Sequence, residues 1–341
     1  MFGSGHHHHR SVVGPVSIFL LRRFVNYVIL TLVATTFSYI LASIFENPAA
    51  RYLGRNPRPS DEVIARTLDR YGTNPQVPVL ERTWHWFTEL VFHGSLGLKF
   101  DGTTVVHDMI VRSGVSLQLL LVGSVLGAVF GVMLGVWGAV RQYKSSDQAV
   151  TYLSYLILAI PVYVLGVFLM ILATKFNQAI GSNAIVFTGQ YTPGKNGFWS
   201  VLLDRLSHIL LPTIALTLTS AAAYSRYQRN AMLDVLSADY IRTARAKGRT
   251  RGSAMIRHGV RVALIPMSTF FAYSFGLLIA GSVFLEKIFS WHGMGELALD
   301  SVTQNDINAT TGSIFYVAIL ILISSTLSQV LHAALDPRVR I

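Results

Sequence analysis

Residues 237–266 read SADYIRTARAKGRTRGSAMIRHGVRVALIP, a basic insert between two long apolar runs. Its positive charges are Arg242, Arg245, Lys247, Arg249, Arg251, Arg257 and Arg261, and its one acid is Asp239. Small residues (Thr243, Ala244, Ala246, Gly248, Gly252, Ala254) separate the charges. A segment that only left one membrane helix and entered the next could be far shorter. This one has room for two short helices, with a break at Gly248, where a residue without a Cβ can turn the chain. Apolar residues recur at helical spacing, first Tyr240, Ile241 and Ala244, then Met255, Ile256 and Val260, so each short helix has a stripe to bury.

Outward from this insert the chain reads as a membrane protein. Of 341 residues 52% are hydrophobic and only 13% charged, against roughly a quarter charged in soluble domains. Apolar runs at 24–45, 115–140, 152–173, 207–224, 262–285 and 313–334 predict membrane spans. The first is ~33 Å long as a helix, enough for a ~30 Å hydrocarbon core. The expected fold is therefore all-α and polytopic, with six transmembrane helices, a two-helix cytoplasmic insert at 225–261 and a small extracytoplasmic cap at 46–114. Segments 174–206 and 286–312 are the other extracytoplasmic loops expected, and 1–23 and 335–341 the cytoplasmic termini. Arg22 and Arg23 before the first run, and the bases from Arg226 to Arg261, set this orientation by the positive-inside rule.

Within this frame, Trp84–Leu90 and Val105–Val111 are expected to be short amphipathic helices of the cap, with Trp84, Trp86 and Phe87 suited to a membrane–water interface. Gly123, Gly127, Gly131 and Gly135 recur every fourth residue and line one face for close helix packing, within the chain or on a partner. Pro161 should kink the third span. Residues 3–9, GSGHHHH, are read as an expression remnant and carry no functional inference.

Several classes of chemistry are disfavoured. The net charge of +11 accords with the positive-inside bias, and no aromatic–basic alternation or zinc spacing points to nucleic acid. With no cysteine, disulfides, thiol catalysis and Cys-ligated metal are excluded. No span carries an ionisable residue at its centre, which disfavours self-powered ion-coupled transport. Neither a His-Glu-x-x-His nor a Gly-x-Ser-x-Gly occurs, and His208, His258 and His292 stand alone. Residues 189–196, GQYTPGKN, almost spell a phosphate loop but end on Asn196 where Ser or Thr is needed. No cofactor, metal or catalytic residue is expected.

The order of residues in the insert narrows the reading. Asp239-Tyr240-Ile241-Arg242-Thr243-Ala244-Arg245-Ala246-Lys247-Gly248 resembles the cytoplasmic signature of permease subunits of ATP-binding-cassette importers. In that family an acid-Ala-Ala triplet is followed by three residues, a Gly, nine residues and an Ile-x-Leu-Pro ending. Arg242-Thr243-Ala244 fills the triplet, Gly248 the Gly and His258-Gly259-Val260-Arg261 the ending. The missing Glu and Pro, and the form Arg-Thr-Ala-Arg-Ala-Lys-Gly, resemble the peptide-permease branch. Residues 94–100 (GSLGLKF), Phe289-Ser290-Trp291-His292-Gly293-Met294-Gly295 with Asp306, and Leu335-Asp336-Pro337-Arg338 resemble further stretches of that branch, the first permease subunit of oligopeptide and dipeptide importers.

The resemblance implies coupling to ATPases through Asp239, Tyr240, Arg242, Thr243, Ala244, Arg245, Ala246, Lys247 and Gly248. It also implies a gate or binding-protein contact at Trp291, His292, Gly293, Gly295 and Asp306. The implied partners are a second permease subunit in a heterodimer, two cytoplasmic ATPases, an extracytoplasmic solute-binding protein and the bilayer. Peptides are the implied cargo, with nickel chelates or another small solute as the alternative within transport. Outside transport, the alternative is a membrane sensor or scaffold whose basic loop holds a cytoplasmic partner.

Overall fold

The computed structural model describes residues 13–236, 238–336 and 338. Ser237 of the insert, the 3–9 run, and Pro337 with 339–341 at the chain end lie outside the described residues. Among the described residues there is no β-strand, only a bridge between Leu98 and Thr104. The helices are α1 (Val13–Phe45), α2 (Ala50–Leu53), α3 (Asp61–Tyr71), α4 (Val79–His93), α5 (Val105–Val140), α6 (Ser145–Ala159), α7 (Val162–Ile180), α8 (Phe198–Leu236), α9 (Asp239–Ala246), α10 (Arg251–Ala254), α11 (Val260–Ile288), α12 (Met294–Thr303) and α13 (Ile307–Leu335). A π-helical turn at Met255–Gly259 joins α10 to α11.

Among the described residues six helices are long and apolar enough to cross a membrane. All but the third are longer than the apolar runs, because backbone hydrogen bonding continues past the hydrocarbon edge; the third, Val162–Ile180, is shorter than its run. Val105–Val111 is accordingly not a separate cap helix but the first turns of α5. Trp84–Leu90 lies in the middle of α4. Pro161 breaks the third run where a kink was expected. Ile160 takes the extended conformation (ψ 126°) that a following proline favours, so α6 stops and α7 restarts.

At the centre of the bundle α5 packs on α8. A Cβ on Gly123 would sit 2.8 Å from Leu216 Cβ, and one on Gly135 would sit 2.6 Å from both Gln228 Cβ and the Ser225 carbonyl oxygen. Gly127 and Gly131 meet Ser220 and Tyr224 as closely. The glycine face thus serves packing within the chain, and any side chain there would force the helices apart. Half of the apolar window of α8 is buried against 17% for α7, so α8 is the enclosed span.

The connections gather at two ends. At one, α9 and α10 form an elbow against the ends of α5 and α8. At the other, α2–α4 form a small cap, with Trp86 stacked on Tyr39 of α1 at 4.8 Å. The main core reaches this cap end through Leu96, Val105, Leu119, Leu285, Phe289, Trp291 and Ile307.

Candidate functional site

The elbow is built from its glycine outward. Gly248 has φ +88°, the left-handed region that side chains resist. Its amide donates to the Arg245 carbonyl (2.9 Å) and the Arg249 amide to the Ala244 carbonyl (3.3 Å), which closes α9. Thr250 opens α10, its Oγ1 accepting from the Ser253 amide at 3.3 Å. Asp239 sits in the first turn of α9, where its charge suits the helix dipole.

The inner face of the elbow is apolar. Ile241, Ala244, Ala254 and Met255 are buried with Met232 and Val235 of α8 and Ala139 of α5. Gly259 lets this face close up, since a Cβ there would lie 3.0 Å from Val235 Cγ1. The expected stripe is corrected at two residues: Tyr240 is 41% and Ile256 60% exposed. Each is one residue, about 100° of helix, from a residue that faces in. Burial raises the Tyr240 phenol above its ordinary pKa.

The outer face of the elbow is basic. Arg242, Arg245 and Lys247 are exposed and form no ion pair among the described residues. Arg251 reaches only Gln142 Oε1, at 3.4 Å. Among the described residues, its two chain neighbours aside, no atom lies within 4 Å of a Cβ placed on Gly248. The elbow therefore presents a cationic tip with open space around its turn.

Beneath the tip lies an ion pair that the sequence did not suggest. Arg229 of α8 donates from Nε and Nη2 to the two carboxylate oxygens of Asp147 on α6, at 2.9 and 2.8 Å. The Tyr143 amide donates to the same carboxylate at 3.1 Å. Burial pushes the Asp147 carboxyl up, but the Arg229 and Tyr143 hydrogen bonds outweigh it and hold the group below the usual carboxylate range. Arg226, three residues before Arg229, lies 3.7 Å over the Tyr155 ring. The end of α8 that leads into the elbow is thereby fastened to α6.

The cap end is organised around Glu286, which is fully buried. Ser116 Oγ of α5 donates to Glu286 Oε1 at 2.5 Å, and the Gly295 and Glu296 amides donate to Oε2 at 2.7 and 3.3 Å. Ser116 Oγ in turn accepts from the Met294 amide at 2.8 Å. One carboxylate thus caps α12 and ties it to α5 and α11. A Cβ on Gly293 would sit 2.5 Å from Glu286 Oε2, and one on Gly295 2.8 Å from it, so both glycines are needed for the backbone to approach. Trp291 is buried beside them, its amide donating to the Glu286 carbonyl at 2.8 Å.

Asp306 makes the second tie. Its Oδ1 accepts from the Ala309 amide (3.2 Å) and its Oδ2 from the Phe100 amide (3.0 Å), so it caps α13 and holds the cap loop. Burial raises its carboxyl above the usual range, against the opposing effect of these amides. Asn308 Nδ2 donates to the Tyr71 and Leu98 carbonyls at 2.8 and 2.9 Å, over Gly97 at φ +84°. Lys99 Nζ and Arg112 Nε both meet Asp108, at 2.8 and 3.1 Å.

Of the five residues expected at this end, Trp291, Gly293 and Gly295 come together beside Glu286, and Asp306 makes its separate tie to Phe100 and Ala309. His292 is exposed, its Nδ1 2.7 Å from Glu296 Oε2. His208 is buried, with Nδ1 2.7 Å from the Asp204 carbonyl oxygen. The near phosphate loop turns its Thr192 amide to the Asp204 carboxylate at 2.7 Å, a placement hostile to phosphate. Among the described residues no cluster of His, Asp and Glu is arranged to hold a metal.

Fold and site together define an all-helical, multi-pass membrane protein with a basic elbow at one end of its bundle and a buried polar clamp at the other. The family model described as "Binding-protein-dependent transport system inner membrane component" matches residues 127–341. The oligopeptide transport system permease protein OppB of Mycobacterium tuberculosis is 44% identical over 324 residues, covering 95% of this chain and 99% of that protein. The oligopeptide transport system permease protein AppB of Bacillus subtilis is 31% identical over 287 residues, 83% of this chain and 87% of that one. The glutathione transport system permease protein GsiC of Salmonella typhimurium is 28% identical over 323 residues, 94% and 98% of the two chains. The chain belongs to the family of membrane components of binding-protein-dependent transport systems. It is a permease component of such a system.

Proposed function

We propose that the chain forms half of the passage of an ATP-driven importer of peptides. A second, related permease completes the passage in a heterodimer, two cytoplasmic ATPases bind below, and an extracytoplasmic solute-binding protein delivers cargo above. The chain sits in the cytoplasmic membrane with both termini inside. The observation that carries the coupling role is the elbow: packed on α5 and α8 through its apolar face, and cationic and without an ion pair among the described residues at its tip. Asp239, Tyr240, Arg242, Thr243, Arg245, Ala246, Lys247 and Gly248 would seat in a groove of an ATPase, while Ala244, expected among them, is buried on the inner face and would only support the elbow from behind. ATPase closure would then move the elbow and tilt α8 and α11, which flank it. Motion of packed bundles about a central site is a recognised route to alternating access.

At the cap end, His292 and the surface around it would meet the binding protein. Trp291, Gly293, Gly295 and Asp306 would hold the gate from behind. Peptide cargo is supported by the oligopeptide permeases among the relatives; the glutathione permease keeps a small peptide-like solute as the second reading.

The test is co-purification and turnover. The tagged chain should bring down a second permease and two ATPases, and ATP hydrolysis should rise when a peptide-loaded binding protein is added. A chain that purifies with a cytoplasmic partner but shows no stimulated hydrolysis would favour the sensor or scaffold reading instead.

A further inference from the structure

The faces that the spans leave uncovered are not alike. At mid-span α1 exposes Leu30 and Val33, α7 Phe168, and α13 Ile321, all hydrocarbon. At the middle of α11, ~20 Å from either end at ~1.5 Å per residue, stands Tyr273 at 61% exposure. Tyrosine at a lipid-facing surface belongs at the membrane–water interface, where its hydroxyl is wet. At mid-span in hydrocarbon an unbonded hydroxyl costs free energy.

Tyr273 has company toward the elbow end. Its ring lies 5.9 Å from Phe270, which stacks on Tyr227 of α8 at 3.9 Å with an interplanar angle of 24°. Phe270 is held edge-on by Tyr224 at 4.9 Å, whose hydroxyl receives a 2.8 Å hydrogen bond from Ser274. The platform is thus fixed from behind, while its front edge is free. The hydroxyls of Tyr227 and Tyr273, and of exposed Thr269 one turn before Tyr273 on α11, bond to none of the described residues. Elsewhere an exposed span hydroxyl, such as Ser38, turns back to its own helix at 2.8 Å.

We infer that Thr269, Tyr273 and Tyr227 form a peptide-contacting ledge inside the passage, on the face of α11 and α8 that meets neither lipid nor the rest of the chain. A peptide main chain offers a donor and an acceptor at almost every residue, and a phenol hydroxyl can serve either. The aromatic faces accept side chains without demanding a sequence. Bulky rings are poor material for close packing against a second permease, where small residues dominate. The ledge lies on the two helices that flank the elbow, so the movement proposed for the elbow would shift it directly. This inference rests on the importer reading above.

The experiment uses the complete transporter, with its partners, in proteoliposomes. The photocrosslinking residue p-benzoylphenylalanine replaces Tyr273 in one preparation and Ile321, on α13, in another. A radiolabelled pentapeptide is supplied with binding protein and ATP. The expected result is a peptide adduct at 273 that requires ATP, and none at 321. Adducts from 273 to lipid or to the second permease alone, in vesicles whose unaltered transporter imports the peptide, overturn the ledge and leave the importer reading standing. Failure of the unaltered transporter to import any peptide overturns both.

Tyr273→Phe and Tyr227→Phe keep the rings and lose only the hydroxyls. Together they should raise the KM for uptake about three- to tenfold, as expected for lost hydrogen bonds. An unchanged KM would also overturn the ledge.

Discussion

The two ends of the molecule use the same materials to opposite effect. Each has glycines at a turn, a cluster of charges and a short helix beside long ones. At the cap end the charged groups are paired and largely enclosed: Glu286 with Ser116 and the α12 amides, Lys99 and Arg112 with Asp108, Asp306 with two amides. At the elbow the apolar face is enclosed while Arg242, Arg245 and Lys247 stand exposed. The glycines divide in the same way. Gly293 and Gly295 exist because a Cβ would strike a carboxylate, whereas Gly248 has nothing near it and is needed for its backbone angle alone. A polar cluster that satisfies itself holds its own chain in place. One that leaves its charges to solvent has capacity for a partner, and this is why the elbow carries the coupling proposal.

If that contrast is right, substitutions at the two ends should separate stability from transport. The largest loss of stability is expected at the root of the elbow. Arg229→Ala strands the buried Asp147 carboxylate, and breaking such a pair from one side costs about 3–5 kcal/mol. Unfolding of the purified chain in mixed micelles would measure it. The same pair has a pH signature. Its carboxyl is depressed in the folded chain, so its contribution is complete above the unfolded value of about 3.9 and fades as pH falls through the folded one. The unaltered chain and Asp147→Asn should therefore differ at neutral pH and converge in acid.

Next comes the clamp. Glu286→Ala leaves the Gly295 amide and Ser116 without their acceptor, for roughly 2–3 kcal/mol. Glu286→Gln keeps an acceptor and should recover part of this. Equal stability of Glu286→Ala and the unaltered chain would remove the distinction between the ends.

Smaller still is Gly248→Leu. Left-handed backbone strain costs about 1–2 kcal/mol, yet uptake should fall at least tenfold with ATP hydrolysis retained, because the new side chain projects into the space a partner would occupy. Arg245→Ala should be neutral in stability, within about 0.5 kcal/mol, and alter only assembly with the ATPases.

The sequence was most informative where local order carries the physics. Apolar runs of membrane length marked the spans, and the small and basic residues around Gly248 marked a turn there, but the second short helix expected after it is continuous with α11, from Arg251 to Ile288. It was less informative where one residue of helix phase decides burial, so Tyr240 and Ile256 were grouped with residues that face in. Pro161 announced a disturbance without saying whether the helix would bend or stop. Least legible were pairs far apart in the chain. Glu286 looked like the first residue of a loop, because its partner Ser116 is 170 residues away. Arg229 looked like one more positive-inside charge, because Asp147 is 82 residues away. The glycine face of α5 was legible as a packing surface, while its partner, α8 of the same chain, required the fold.

The claim that matters most is that the elbow tip is where the ATPase engages. Because the chain contains no cysteine, Arg245→Cys supplies a single thiol at that tip. In membranes bearing the whole transporter, a short bifunctional maleimide should join this thiol to an ATPase carrying a cysteine in its permease-facing groove, with a yield that changes between ATP-bound and nucleotide-free states. Labelling of the introduced thiol by a membrane-impermeant reagent added outside, with no adduct to the ATPase in either state, would contradict the account.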